Sequence, residues 1–158
     1  NFDQRIFGFT LYFMRRYDEA VTQLKRAAEM APDKVANYGW LSLAYDQKGD
    51  YAHAFEYFLL TAEKEGATAQ ELAAWKNTYS KSGWHGVMRR KFDQIKKAGD
   101  SGAELAAELG EKEEAFAELG KEYEARDVSL LWLQSNPQLD SLRSDPRLDE
   151  LAAKIGLK

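Results

Sequence analysis

Hydrophobic residues along this chain keep the spacing of a helix, and then recur as a set. Shifting the sequence by 34 residues lays large positions on large ones. Phe7 falls on Leu41 and Trp75, Leu11 on Tyr45 and Tyr79, and Leu24 on Phe58 and Phe92. Small positions follow: Ala20 falls on Ala54, and then on the larger Met88. The stretches YDEAVTQL, YAHAFEYF and WHGVMRRKF occupy equivalent places, each after a break, and LGEKEEAFAEL adds a degenerate fourth copy through Ala115 and Leu119. Alternating β-branched runs are absent, and the 3 prolines stand at 32, 137 and 146. The pattern predicts an all-α chain built from a repeated unit.

Each copy reads as two antiparallel helices. In the second, a helix from about Val35 to Lys48 stops at Gly49, which supplies a left-handed cap. Asp50 then opens a partner helix from about Tyr51 to Lys64, and Gly66 ends it. Small residues at Gly8, Ala20, Ser42 and Ala54 allow close approach, and large side chains at 7, 24, 41, 58, 75 and 92 fill the space between the pairs. One hairpin leaves an apolar face open, so copies must stack. The repeats run 1–34, 35–68 and 69–99, with a degenerate copy at 100–126 that Gly102 cuts short, and a closing segment at 127–158. The Gly83-Trp84-His85-Gly86 stretch reads as the turn within the third copy, and Met88 predicts some splaying there.

The closing segment says one phrase twice: NPQLDSL from Asn136 returns as DPRLDEL from Asp145. Asn or Asp before a proline at the first helical position is a capping arrangement, so each phrase opens a short helix. Leu139 and Leu142 share a face of the first, Leu148, Leu151 and Ile155 a face of the second, and Gly156 ends the last. These leucines are expected to cover the open face of the last hairpin, with Trp132 anchoring the linker. A catalytic role for Asp140, Asp145 and Asp149 would need burial and a raised pKa; their polar neighbours point instead to a lid.

The pattern Tyr38-x2-Leu41-Ser42-x2-Tyr45…Ala54-x3-Phe58 resembles the tetratricopeptide repeat, as does Phe7-Gly8-x2-Leu11…Ala20-x3-Leu24…Pro32. The resemblance covers residues 1–98 well and 101–126 loosely. It implies a right-handed superhelical solenoid of antiparallel helix pairs with a short C-terminal helical cap, acting as a non-catalytic scaffold that binds a protein or peptide. In such arrays the outer face of each first helix lines a concave groove. On that face lie Phe2, Arg5, Phe9, Tyr12 and Phe13, then Leu43, Asp46 and Gln47 with Trp40 alongside, then Asn77, Ser80 and Lys81. The groove runs from aromatic to polar, which suits an extended or helical peptide with an apolar end. The carboxylate clamp known in this family does not fit, because its places hold Arg5, Phe9, Trp40, Gln70 and Ala74, of which Arg5 alone could serve.

The first helix, FGFTLYFMRRY, is apolar nearly all round and requires cover. Earlier repeats, a partner in the groove, or a second copy of the chain forming a homodimer would each supply it. The tail from Gly110, with LGEKEEAF, EARD and LRSDPRLDEL, together with GWHG at 83–86, resembles the tail of bacterial signalling tetratricopeptide proteins. There the repeats follow a DNA-binding or kinase domain, which implies a segment of a multidomain regulator of signalling or transcription. The Asn1 start, in place of Met, is consistent with a fragment. A small-molecule sensor, with a cavity lined by Trp75, Trp84 or Trp132, is the rival reading.

Composition narrows the chemistry. Among 158 residues there is no Cys, and His53 and His85 are the only histidines, so neither a thiol nucleophile nor a metal site is expected, and no cofactor. Residues 1–98 hold 15 Lys and Arg against 12 Asp and Glu, net +3; residues 99–158 hold 7 against 14, net −7; the whole is −4. An acidic chain lacks the basic stripe of a nucleic-acid binder, and Arg89, Arg90, Lys91, Lys96 and Lys97 read as a solvated helix face. No apolar run approaches the ~20 residues of a membrane span. A cytoplasmic location is expected, with the periplasm as the alternative.

Overall fold

The structure, a computed structural model, describes residues 2–157. Its regular elements, among those residues, are all helical, as the pattern requires. They are α1 (Phe2–Phe13), α2 (Tyr17–Met30), α3 (Val35–Gln47), α4 (Tyr51–Lys64), α5 (Ala69–Ala98), α6 (Ala103–Glu108), α7 (Lys112–Ala125) and α8 (Pro146–Lys154). Two 3₁₀ turns, Val128–Trp132 and Pro137–Leu142, stand between α7 and α8. The connections from α1 through α7 are three or four residues long. The chain forms two compact units, Asn1–Val87 and Met88–Lys158.

In the first unit α1 pairs with α2, α3 with α4, and α2 lies against α3. The repeat shows in the backbone as well as in the side chains. Arg15, Gly49 and Gly83, each 34 residues apart, all have positive φ, at 59°, 74° and 60°. At the first two, the helix ends with a left-handed residue and a reversed hydrogen bond: Arg16 N–H to the Leu11 carbonyl and Asp50 N–H to that of Tyr45, both 2.9 Å. Gly83 departs further, with ψ −162°. There the chain breaks its helical path at one residue and resumes. The break between the two helical halves of α5 thus falls where the third copy is expected to turn, but Gly83 alone absorbs it, and Trp84, His85 and Gly86 are already helical.

Close approach and polar ties fix the hairpins. A Cβ on Gly8 would meet Leu24 Cγ at 2.6 Å, so only glycine lets α1 and α2 lie this close. Ser42 Oγ donates to the Ala54 carbonyl at 2.8 Å, tying α3 to α4. Buried Asn37 donates from Nδ2 to the Ala27 and Ala31 carbonyls at 3.1 and 3.3 Å, joining the start of α3 to the end of α2. The α5 N-terminus carries a capping box. The Thr68 N–H donates to Glu71 Oε2 at 2.7 Å, and the Glu71 N–H returns to Thr68 Oγ1 at 3.2 Å.

Phe7 corrects an expectation. The period predicts it inside the first hairpin, yet half its surface is exposed, while Leu41 one period on is fully buried. Leu41 shares a core with residues of α2, the helix before its own. No described helix stands in that place for Phe7.

The second unit has one core. Phe92, Ala103, Ala106, Ala107, Ala115 and Leu119 meet Leu130, Leu133, Leu139, Leu142, Leu148 and Ala152. The doubled phrase thus does what its leucines implied, with α6 packed on the Pro137–Leu142 turn. The two phrases nevertheless differ in geometry. Asn136 accepts from the Gln138 N–H and Asp145 from the Arg147 N–H, each two residues on. The first phrase winds as 3₁₀, where residues three apart eclipse and still put Leu139 beside Leu142. It cannot lengthen, because Pro146 holds Asp145 in an extended conformation (ψ 124°). The second phrase runs on through Ala152, Ala153 and Lys154 as an α-helix. Trp132 is not the anchor expected. It is 45% exposed, and Leu130 and Leu133, at 5% and 1%, hold the linker down.

Candidate partner-binding surface

The aromatic end of the expected groove is assembled by α1 and α3. The Phe9 ring stacks on Trp40 at 5.6 Å and 24°, and Phe13 meets the same indole edge-on at 5.9 Å. Both phenylalanines and Trp40 are half-buried, leaving part of each ring at the surface. Tyr12 belongs beneath them. It is 1% exposed, wedged against Phe13, Tyr17 and Trp40, so it supports the platform and cannot touch a partner directly. Arg5 is half-buried on α1. Phe2 begins α1, but its side chain lies outside the described residues.

Leu43 packs half-buried on the same core. Asp46, one turn along α3, accepts a 2.7 Å hydrogen bond from the Trp84 indole nitrogen. That bond spans 38 residues and ties the helix after Gly83 to α3. Gln47 beside it is half-buried. Asn77, Ser80 and Lys81, at spacings of three and four on α5, are all exposed. The structure thus joins Phe9, Phe13 and Trp40 by ring contact and Asp46 to Trp84; Asn77, Ser80 and Lys81 form a separate polar stripe.

Trp75 and Trp84 are filled in by protein. The Phe58 ring meets Trp75 edge-on at 4.9 Å and Trp84 at 6.1 Å. A hollow of about 240 Å³ occurs in the second unit, lined by Tyr123, Arg126, Asp127, Val128, Leu130, Leu131 and Ile155. Its volume lies below the roughly 300–1,000 Å³ of small-molecule pockets.

The carboxylates considered for catalysis are engaged in structure. Asp145 is nearly buried, and Arg147 and Lys112 hold its carboxyl far below the usual range; Arg147 also grips Glu113 through two bonds of 2.8 Å and lies 4.0 Å over the Phe116 ring. Asp140 bonds Arg143. Glu122 behaves in the opposite sense: burial pushes its carboxyl up, against hydrogen bonds from Ser101 and Ser129. Arg89 and Lys96 of the basic cluster pair with Glu111 and Glu114. Among the described residues no cluster of His, Asp and Glu could hold a metal ion, and no helix is long and apolar enough to cross a membrane. His53 stacks on Tyr45 and bonds Asp50 at 2.8 Å; His85 is exposed on its helix.

No curated protein and no solved structure matches the chain. Residues 35–60, which are α3 and most of α4 with the turn between them, match the family model of the tetratricopeptide repeat. Over those residues the second hairpin is similar to a tetratricopeptide repeat.

Proposed function

We propose that the chain is a non-catalytic protein-interaction module that captures a partner segment on the face shared by α1, α3 and the first half of α5. The observation that carries this is the Phe9–Trp40 stack with Phe13 beside it, left partly open to solvent by buried Tyr12 below. Rigid, half-exposed aromatic rings are the residue types that anchor interfaces. Leu43 continues the apolar part, while Asp46, Gln47, Asn77, Ser80 and Lys81 supply donors and acceptors farther along. The partner is a peptide with an apolar anchor at one end and polar groups at the other. A setting within a multidomain bacterial regulator rests on the tail resemblance alone.

A peptide library selected on the immobilised chain tests this. Enriched peptides should carry an aromatic or large aliphatic anchor and lose at least about tenfold affinity for the Phe9→Ala, Trp40→Ala double variant, as expected for hot-spot aromatics. Circular dichroism checks that the variant remains helical. Peptides that bind the variant and the parent alike would remove the groove from the account.

A further inference from the structure

Two tryptophans of the first unit use their indole nitrogens differently. Trp84 donates to Asp46 at 2.7 Å. Trp40 is half-buried, and its N–H meets no acceptor among the described residues and is not closed off from solvent. A tryptophan nitrogen usually finds a partner once its ring is packed. Trp40 thus carries an open donor on a ring held in place by its neighbours. Phe9 lies nearly parallel to the indole, while Phe13 and buried Tyr12 meet it edge-on. These rings fill the space between one another, leaving a ridge of ring faces in place of a slot for a long side chain.

An open donor set among flat rings selects the backbone of the occupant. In a helix the main-chain carbonyls are spent on the helix's own hydrogen bonds. In polyproline II they are free, because that conformation makes no internal hydrogen bonds. Proline also fixes φ before binding, which lowers the cost of ordering, and brings a compact apolar ring to lay on an aromatic one. Resting on the partner-binding face proposed above, we infer that its occupant is a proline-rich segment in the polyproline II conformation. Its rings lie on Phe9, Phe13 and Trp40, and one of its carbonyls accepts from Trp40 Nε1. Farther along the face, the exposed side chains of Asn77 and Ser80 bond no described residue and offer further groups to an unpaired backbone. Charge narrows the segment. Arg5 and Asp46 are already engaged within the chain, whereas exposed Lys81 forms no ion pair with a described residue, so an acidic residue beside the prolines is favoured.

The probe is a fluorescein-labelled oligoproline of about ten residues ending in a pair of glutamates, a sequence that holds polyproline II by itself. Its binding to the full chain is read by fluorescence anisotropy, beside that of a helical leucine- and alanine-rich peptide with the same glutamates. Saturable binding of the oligoproline is expected, tighter than that of the helical peptide. Trp40→Phe, which keeps a ring and removes the N–H, should weaken it about fivefold. Phe9→Ala should weaken it at least about tenfold, and Lys81→Glu about threefold, with that loss fading in high salt. Lys81 is exposed, so its variant keeps the fold, and thermal melts check the other two. Absence of saturable oligoproline binding would overturn the inference. So would equal binding to the parent, Trp40→Phe and Phe9→Ala chains, or tighter binding of the helical peptide. In any of those cases, library peptides that still need Phe9 and Trp40 leave the face standing without proline, and library peptides that do not need them remove the face as well.

Discussion

Arg15 takes a left-handed conformation that costs an L-residue about 1–2 kcal/mol, at a place where the next two copies use glycine. Substituting Arg15→Gly relieves that cost and adds back some unfolded-state entropy. The expected net is a gain of about 0.5–1 kcal/mol, seen as a higher urea midpoint with an unchanged slope. Gly8 is the converse case. Its absent side chain is what admits Leu24, so Gly8→Ala should destabilise by about 1–3 kcal/mol in the same titration. Replacing Arg15 eases the backbone of a turn, whereas replacing Gly8 parts two helices.

At the scale of elements, two carboxylates report oppositely on pH. Asp145 has a lowered pKa, so its contribution is fully present above the ordinary aspartate value and is lost progressively as pH falls from there through the lowered value. Asp145→Asn should therefore lower the melting temperature at neutral pH and matter progressively less on acidification. Glu122 has a raised pKa, so its favourable state is the protonated one, present below the ordinary glutamate value and lost as pH rises through the raised value. Glu122→Gln should raise the melting temperature at neutral pH and change little under acid conditions.

Much of this element structure was legible in the sequence because its signals are local. Gly49, Gly66 and Gly156 mark helix ends with positive φ, and Asn136-Pro137 and Asp145-Pro146 mark starts. What stayed hidden depends on distant contacts. Gly83 to Gly86 reads as a four-residue turn, whereas the break is confined to Gly83, and Trp84 beyond it bonds Asp46, 38 residues earlier. Phe7 reads as core because its register partners are core, and its exposure follows from which helix lies before it. Tyr12 falls on the groove face by helical phase, yet neighbouring rings from α1, α2 and α3 close over it.

For the whole molecule, stability resides in apolar clusters inside each unit, two in the first unit and one in the second. Leu142 is 1% exposed in the second, so Leu142→Ala should cost about 2–5 kcal/mol of that unit's stability. Amide exchange across residues 88–158 would read it. The connections from α1 through α7, none longer than four residues, carry a different consequence. They are too short to wrap around anything, so recognition must be written on the helices themselves. A lineage of such chains would change what it holds by exchanging single side chains on rigid rods, keeping both its length and its scaffold while its affinities drift.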